Sequence, residues 1–201
     1  KDKDLEKAET DFTSALGIDP NHNAALLGRG EVHLAKGHYD GAIEDLQKAH
    51  DGSQPAARAP LIDAYGKRAE MRLKTKDYPG AIADSNKALA LDPTLTKEVN
   101  PRLATVYRLH GKELFDKKEF KNALPTLEKV ITFSPDDPNA HAILGDCQRE
   151  LGESQLALTS YRKVIELRDK NPETIGQEDY VRVLVEIGEF ERQLSSENKT
   201  A

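Results

Sequence analysis

The sequence predicts an all-α fold in which helix hairpins stack one after another, as in an α-solenoid. Five alanines, Ala8, Ala42, Ala81, Ala123 and Ala157, follow one another at intervals of 34, 39, 42 and 34 residues. A repeat period in this range is typical of chains built from stacked supersecondary units. Apolar residues also recur at three- and four-residue steps, the pattern of a helix with one buried side. Together these observations predict helical repeats with solvated outer surfaces.

Short segments of similar sequence surround the alanines from Ala42 onward. They occupy residues 37–43, 76–82, 118–124 and 152–158. We interpret each segment as the turn between the two helices of a hairpin. In the first segment Gly37 supplies the left-handed residue that commonly ends a helix.

The first helix is predicted over residues 3–17 and is stopped by Asp19 and Pro20. Because its alanine belongs to the second half of a repeat, residues 1–22 form a half repeat. Helices over residues 23–36 and 39–50 then form a hairpin, which gives a complete repeat at 23–56.

The next two repeats carry insertions. The repeat at 57–95 has a lengthened first helix, beginning near Pro55 and ending near Thr75, which would be roughly 31 Å long against roughly 21 Å for 14 residues. The repeat at 96–137 has eight extra residues before its first helix, for which Asn100 is the expected cap and Pro101 the first-turn residue. The insertions either lengthen loops and helices or form a binding ledge along one edge.

The C-terminal part is predicted to contain a repeat at 138–171, a partial repeat or capping helix at 172–194, and a disordered tail at 195–201. Asn171 and Pro172 fit a helix cap and first turn. A first helix over 180–187 would be followed by a turn at Gly188. The incomplete ends suggest a segment of a longer array.

Composition narrows the possible functions. The chain has 29 Lys and Arg against 35 Asp and Glu, a formal charge of -6, with both signs interspersed. This balance disfavours a nucleic-acid partner. Apolar runs reach only four residues, which excludes membrane insertion by a helix. The single cysteine, Cys147, forms no disulfide within the chain, so the sequence does not point to an oxidising compartment. We expect a soluble protein, with the cytoplasm the favoured compartment.

No catalytic or metal-binding pattern is present in the sequence. The six histidines lack metal-ligand spacing. Asp146 and Glu150 lie near Cys147 and should raise the pKa of its thiol, and its repeat position predicts burial. We therefore expect no enzymatic activity, no cofactor and no metal site.

Residues 23–56 resemble the tetratricopeptide repeat (TPR) pattern W-x2-L-G-x2-Y, A-x3-F, P. Leu26 stands for the Trp, Gly30 keeps the Gly, His33 stands for the Tyr, and Ala42 and Leu46 fill A-x3-F. Small residues recur at the Gly position, and we expect them to face the alanines closely. They are Gly30, Ala69, Gly111 and Gly145. The resemblance implies a right-handed superhelical α-solenoid of antiparallel hairpins.

The resemblance also implies that the first helices of the repeats line a concave groove that binds a peptide or protein segment. Carried over position by position, the expected peptide-binding residues are Leu27, Glu31, Lys67, Glu70, Arg108, Lys112, Phe115, Asp146 and Arg149. Lys67, Arg108 and Lys112 either form a basic strip suited to an acidic peptide or terminal carboxylate, or are ordinary solvated charges.

Family members that bind chaperones hold a terminal carboxylate with a Lys, Asn and Arg clamp. Its first two positions are occupied here by Leu27 and Glu31, by Gly66 and Glu70, or by Arg108 and Lys112, and the following Asn is absent. The sequence therefore argues against an adaptor for Hsp70 or Hsp90 tails.

The leading functional hypothesis is a non-catalytic scaffold that binds a partner protein or peptide in the groove. One alternative is the substrate-recruiting segment of a multidomain enzyme such as a glycosyltransferase. Another is a scaffold that self-associates through its exposed ends.

Overall fold

A computed structural model describes the backbone of residues 2–200 and the side chains of residues 3–193. Within residues 2–200 the chain forms α-helices and two 3-10 turns, and no strand. This confirms the predicted all-α class. The helices are α1 (Asp2–Ile18), α2 (Asn23–Ala35), α3 (Tyr39–Asp51), α4 (Arg58–Lys74), α5 (Tyr78–Leu91), α6 (Thr96–Asp116), α7 (Phe120–Phe133), α8 (Pro138–Glu150), α9 (Ser154–Lys170) and α10 (Gln177–Thr200).

The first compact unit spans Lys1–Val99. Helices α2 and α3 form one hairpin and α4 and α5 a second, while α1 packs on α2 and α3 packs on α4. Ala42 and Ala81 are fully buried, as are the core residues Leu46 and Leu61. The predicted hairpins of this unit are confirmed.

The second compact unit spans Asn100–Ala201. Helices α8 and α9 form a hairpin, α7 packs on α8, and α9 packs on α10. Helices α6 and α7 pack against each other where Gly111 meets Leu127. Ala123 and Ala157 are fully buried here. The recurring alanines from Ala42 onward thus mark the cores of both units, whereas Ala8 is only partly buried.

The turns inside the four hairpins share one backbone geometry. Their left-handed residues are Gly37 (φ 77°), Lys76 (φ 61°), Lys118 (φ 62°) and Gly152 (φ 80°). In each turn an amide N–H donates to a carbonyl five residues earlier, at 2.8 to 2.9 Å. Such bonds satisfy carbonyls that the helix end leaves free. The four predicted turns are confirmed.

The glycines of the first helices face a different residue from the one expected. A Cβ built on Gly30 would lie 2.6 Å from Leu46 Cγ, and one on Gly145 would lie 2.6 Å from the Tyr161 ring. Leu46 and Tyr161 follow the recurring alanines by four residues, which is one helical turn. The expectation that the glycines face the alanines is therefore wrong, because the close approach seats a large side chain over each glycine.

Buried ion pairs hold both hairpins of the first unit, and sequence reasoning missed them. Arg29 donates two hydrogen bonds to Asp45 at 2.7 and 2.8 Å. Arg68 donates two to Asp84 at 2.8 and 2.6 Å, and Arg72 adds a third at 2.8 Å. Both carboxylates are 2% exposed. The same 39-residue spacing separates the two arginines, the two aspartates and the alanines Ala42 and Ala81, so a signal was present.

Both insertions are helical in the structure. A 3-10 turn at Pro55–Ala57 leads into α4, and a second at Pro93–Leu95 leads into α6. The prediction that Asn100 caps the latter helix is wrong, because α6 already begins at Thr96. The Asp92 side chain accepts from the Thr94 N–H at 3.0 Å and fixes the turn before it. Pro101 then removes only one backbone hydrogen bond, to the carbonyl of the exposed Lys97.

Two predictions for the C-terminal helix are also wrong. Asn171 ends α9 instead of starting α10, because its side chain accepts from the Glu173 N–H at 3.3 Å in a local turn. The predicted turn at Gly188 does not form either. Helix α10 continues past it because Phe190 is buried against Tyr161, with ring centroids 6.3 Å apart. A third prediction, the disordered tail at 195–201, is wrong over residues 195–200, because α10 continues to Thr200 and no glycine or proline interrupts residues 189–200.

Among the described residues, no helix is both long enough and apolar enough to cross a bilayer.

The contact between Gly145 and Tyr161 can be tested by adding one methyl group. We expect Gly145→Ala to lower the free energy of unfolding by about 1–3 kcal/mol, because Tyr161 is fully buried and has no room to move. Gly66→Ala, within α4, is the control, since a Cβ there meets nothing within 4 Å. Gly66→Ala should raise the free energy of unfolding by about 0.5–1 kcal/mol. Urea unfolding followed by circular dichroism measures both, and an unchanged Gly145→Ala would contradict the packing.

The buried ion pair of the first hairpin can be tested with two adjacent residues of α3. We expect Asp45→Ala to destabilise the chain by about 2–4 kcal/mol, because it leaves the half-buried Arg29 without its bidentate partner. Glu44→Ala should cost at most about 1 kcal/mol, since the Glu44 and Lys48 side chains are largely exposed. Thermal unfolding compares the two variants. Equal losses of stability in the two variants would mean that the buried Arg29–Asp45 pair contributes no more to stability than the surface Glu44–Lys48 pair.

Candidate functional site

The second unit contains a cavity of about 500 Å³ between α6, α8 and α10. Predicted groove residues from two repeats meet there. They are Arg108, Lys112 and Phe115 of α6 and Asp146 and Arg149 of α8. Helix α8 also contributes Asn139, Ala142 and Ile143 to the lining. Asp179, Arg182 and Glu186 of α10 complete the lining. We refer to this cavity as the pocket.

Helical periodicity explains why these side chains converge. The lining residues of each helix recur at steps of three or four residues, apart from Ile143, which adjoins Ala142, so they lie on one side of that helix. The adjoining side of α6 is held by Gly111 against Leu127, and that of α8 by Gly145 against Tyr161. The hairpin contacts therefore set the rotation of both helices and orient the pocket-lining residues.

A hydrogen-bonded network joins the α8 wall of the pocket to α9 and α10. Asp146 is buried and accepts from the Tyr161 hydroxyl at 2.7 Å and from Arg182 at 2.6 Å. Burial raises the pKa of the Asp146 carboxyl, although both donors act in the opposite direction. Burial, followed by the nearby Asp146, also raises the pKa of Tyr161. The network ties α8 to both α9 and α10 and gives Asp146 a positioning role.

The cations on the α6 wall have more accessible partners. Arg108 Nε lies 3.2 Å from Asp137, and its side chain is 32% exposed. Lys112 Nζ lies 3.3 Å from Asp116, and its side chain is 59% exposed. The Lys112–Asp116 pair is exposed, and such pairs contribute about 0–1 kcal/mol, so an acidic ligand can displace Asp116. Asp137 is only 17% exposed, so the partner of Arg108 is less accessible than that of Lys112. Phe115, Ala142 and Ile143 add an apolar surface beside them.

The other predicted residues lie in the first unit. Leu27 is partly buried against the core of that unit. Glu31 and Glu70 are exposed. Lys67 Nζ lies 2.8 Å from Asp63 on the same helix. Of the proposed basic strip, only Arg108 and Lys112 line the pocket.

Sequence reasoning did not assign the α10 wall to the site. Asp179, Arg182 and Glu186 have the same spacing as Asn139, Ala142 and Asp146, each 40 residues later. That offset was a usable signal, but 180–187 was interpreted as a short helix with no groove positions assigned. Arg182 reaches Asp146, and Arg149 forms an ion pair with Glu186. Helix α10 thus supplies charged partners for the α8 wall.

Within residues 3–193, no group of three or more His, Cys, Asp or Glu side chains is placed to hold a metal ion. Cys147 is fully buried, as predicted. Burial raises the pKa of its thiol to about 12, with further contributions from Asp146 and Glu150.

The helix hairpins and their small-residue contacts agree with a comparison against known families. The model described as "Tetratricopeptide repeat" matches residues 2–60 and 108–172, which is more than half of the chain. The chain belongs to the tetratricopeptide repeat family. The matched ranges include the hairpin of α2 with α3 and all of the α6 and α8 residues that line the pocket.

Several TPR proteins are similar to this chain. The Hsp70-Hsp90 organizing protein of Triticum aestivum is 28% identical over 191 residues, which cover 83% of this chain and 33% of the relative. Sperm-associated antigen 1 of Mus musculus is 30% identical over 151 residues, covering 75% and 16%. The chain thus spans a third or less of the length of these relatives. The solved structure of the first TPR of Spaghetti bound to HSP90 peptide SRMEEVD has 17% identity and a TM-score of 0.41, covering 67% of this chain and 93% of that chain.

The buried thiol of this TPR chain gives a direct test of the packing between α7 and α8, because Cys147 lies in one core cluster with Ala123 and Leu127. With a pKa of about 12, compared with an ordinary value of 9.0, Cys147 should react with a disulfide reagent at pH 8 about 1,000-fold more slowly than the unfolded thiol. Stopped-flow measurements with and without urea make the comparison. A native rate within tenfold of the unfolded rate would contradict the buried position.

Proposed function

We propose that this TPR chain is a non-catalytic scaffold and that the pocket of its second unit binds a segment of a partner protein. Membership of the family and the similarity to other TPR proteins support a protein-interaction scaffold. The pocket is the observation that carries the more specific proposal. Its volume of about 500 Å³ lies within the usual range of ligand sites.

The lining of the pocket suits a segment with an acidic residue next to an apolar one. Arg108 and Lys112 provide cationic donors, and their present partners Asp137 and Asp116 have side chains that are 17% and 57% exposed. Phe115 lies beside them on α6, and Ile143 faces the same cavity from α8. A carboxylate can pair with the cations while the neighbouring side chain covers the apolar surface. Asp146 already accepts hydrogen bonds from Tyr161 and Arg182, so its role in the proposal is to position the α8 wall.

We further propose that this binding does not use the carboxylate clamp of chaperone adaptors. The clamp is incomplete at the positions matched to it, where Leu27 and Glu31 replace the Lys and Asn of the first repeat. The peptide SRMEEVD and its C-terminal amide provide the test. They should bind equally weakly in isothermal titration calorimetry. A free acid that binds tenfold more tightly than the amide, a difference of about 1.4 kcal/mol, would contradict this proposal.

The pocket can be tested by selecting ligands without knowing the natural partner. A phage-displayed library of random peptides selected on the wild-type chain should yield acidic sequences containing an apolar residue. We expect Arg108→Ala combined with Lys112→Ala to weaken the selected peptides at least about tenfold, because each lost charge-assisted contact costs about 1.5–3 kcal/mol. Fluorescence anisotropy of labelled peptides measures the affinities.

Arg162→Ala is the matched control for that experiment. Arg162 lies on α9 outside the pocket lining, and its side chain is 60% exposed. Its removal should leave peptide affinity unchanged, and circular dichroism should show all variants folded. Selected peptides that bind the double variant as tightly as the wild type would place the binding surface elsewhere.

A further inference from the structure

Helix α10 carries an exposed apolar surface away from the pocket. Val181 is 49% exposed, Leu184 44% and Val185 59%. Gly188 follows on the same side of the helix, and a Cβ added to it would meet nothing within 4 Å. These four residues, spaced three, one and three apart, form what we call the α10 surface.

The other sides of α10 are buried in the core or line the pocket. Val183 and Phe190 are buried in the core shared with α9. Asp179, Arg182 and Glu186 line the pocket. The α10 surface is therefore a third side of the helix, separate from the proposed peptide site.

The repeat offset identifies what this third side corresponds to. Shifted back by the 40 residues that relate the pocket walls, Val181, Leu184, Val185 and Gly188 correspond to His141, Leu144, Gly145 and Gln148 of α8. Those α8 residues are buried. Gly145 packs under Tyr161 of α9, and the Gln148 side chain accepts from Ser160 at 2.7 Å. The α10 surface is thus the side that a preceding first helix buries against its hairpin partner.

A helix that presents a large side chain at this position, as α9 presents Tyr161 to α8, does not fit the α10 surface. Val185 occupies the position of Gly145, where even a single Cβ would lie 2.6 Å from the opposing ring. The small residue of α10 is instead Gly188, one turn nearer the C-terminus. A glycine inside a helix lowers stability by about 0.5–1 kcal/mol relative to alanine. Its small size can offset this loss by allowing a neighbouring side chain to pack closely. A side chain of the occupant can therefore enter most deeply at Gly188.

We propose that the α10 surface pairs with the same surface of a second copy of the chain, with the two helices antiparallel about a two-fold axis between Leu184 and Val185. This axis sets Val181 of each copy over Gly188 of the other. It also sets Leu184 of each copy against Val185 of the other. The surface is self-complementary in size and shape, as an interface between identical subunits requires.

Charge favours the antiparallel direction. Glu178 and Arg192 flank the α10 surface at its two ends, and both are exposed. An antiparallel pair brings Glu178 of each copy near Arg192 of the other, whereas a parallel pair brings like charges together. Arg192 now contacts Glu189 of its own helix. That pair is exposed and therefore weak enough to exchange.

The small apolar area predicts a weak dimer. A contact confined to one helix of each copy lies below the roughly 1,000 Å² expected of a stable interface. Association is therefore expected at high micromolar concentrations of the chain. Because the pocket residues lie on another side of α10, peptide binding and pairing are separable, and failure of one leaves the other intact.

Sedimentation equilibrium of the 201-residue chain tests the proposal over roughly 5 µM to 1 mM, the range set by such weak association. The wild type should shift from monomer to dimer as concentration rises. Val185→Asp should weaken dimerisation at least about tenfold, because it places two carboxylates close together at the two-fold axis. Leu156→Asp is the control, since Leu156 is 52% exposed on α9 and outside the α10 surface. It should dimerise like the wild type.

A charge exchange tests the partner and its direction. Glu178→Arg and Arg192→Glu should each weaken the dimer several-fold, and the two together should restore it, because the pairs across the axis are rebuilt. A double variant as weak as the single variants would overturn the antiparallel arrangement. A wild type that remains monomeric throughout, or a dimer unaffected by Val185→Asp, would overturn pairing of the α10 surface. Circular dichroism of each variant confirms that its helices are formed.

Discussion

The close contact between a glycine of one helix and a large side chain of the next is the constraint on which the fold depends. Gly30 receives Leu46, Gly111 receives Leu127, and Gly145 receives Tyr161. Each contact fixes both the distance and the rotation of two helices at a single point. Where the first helix has Ala69 in place of glycine, the matching position of α5 holds the small Ser85. The sizes compensate, which indicates that the contact constrains the whole series of hairpins.

Rotation of the first helices connects this packing to the pocket. The contact of Gly145 with Tyr161 fixes the rotation of α8. Because of this rotation, Ala142, Asp146 and Arg149 face the cavity. The buried hydrogen bonds of Asp146 then use the Tyr161 hydroxyl as a second attachment at the same place. Packing and electrostatics thus act through one residue of α9, and the more exposed cations of α6 are left available for a ligand.

Much of this arrangement follows from sequence because it is periodic. The recurring alanines predicted the hairpins, and the resemblance to the TPR pattern assigned Arg108 and Arg149 to the groove side of their helices, where both line the pocket. Positions that depend on local competition were missed. Asn100 does not cap α6, because the turn that Asp92 fixes starts the helix earlier. Gly188 forms no turn, because Phe190 beyond it is buried. The buried partners of Arg29 and Arg68 lie 16 residues away, so only the repeated spacing could have revealed them.

The central claim is that the contact at Gly145 sets the rotation of α8. Nuclear Overhauser effects from the Gly145 α-protons of the folded chain measure that contact directly. The account predicts strong cross-peaks to the ring protons of Tyr161, whose nearest ring carbon lies 2.6 Å from a Cβ built on Gly145. Cross-peaks to the Ala157 methyl group in place of the Tyr161 ring would show a helix seated one turn away, and would contradict the account.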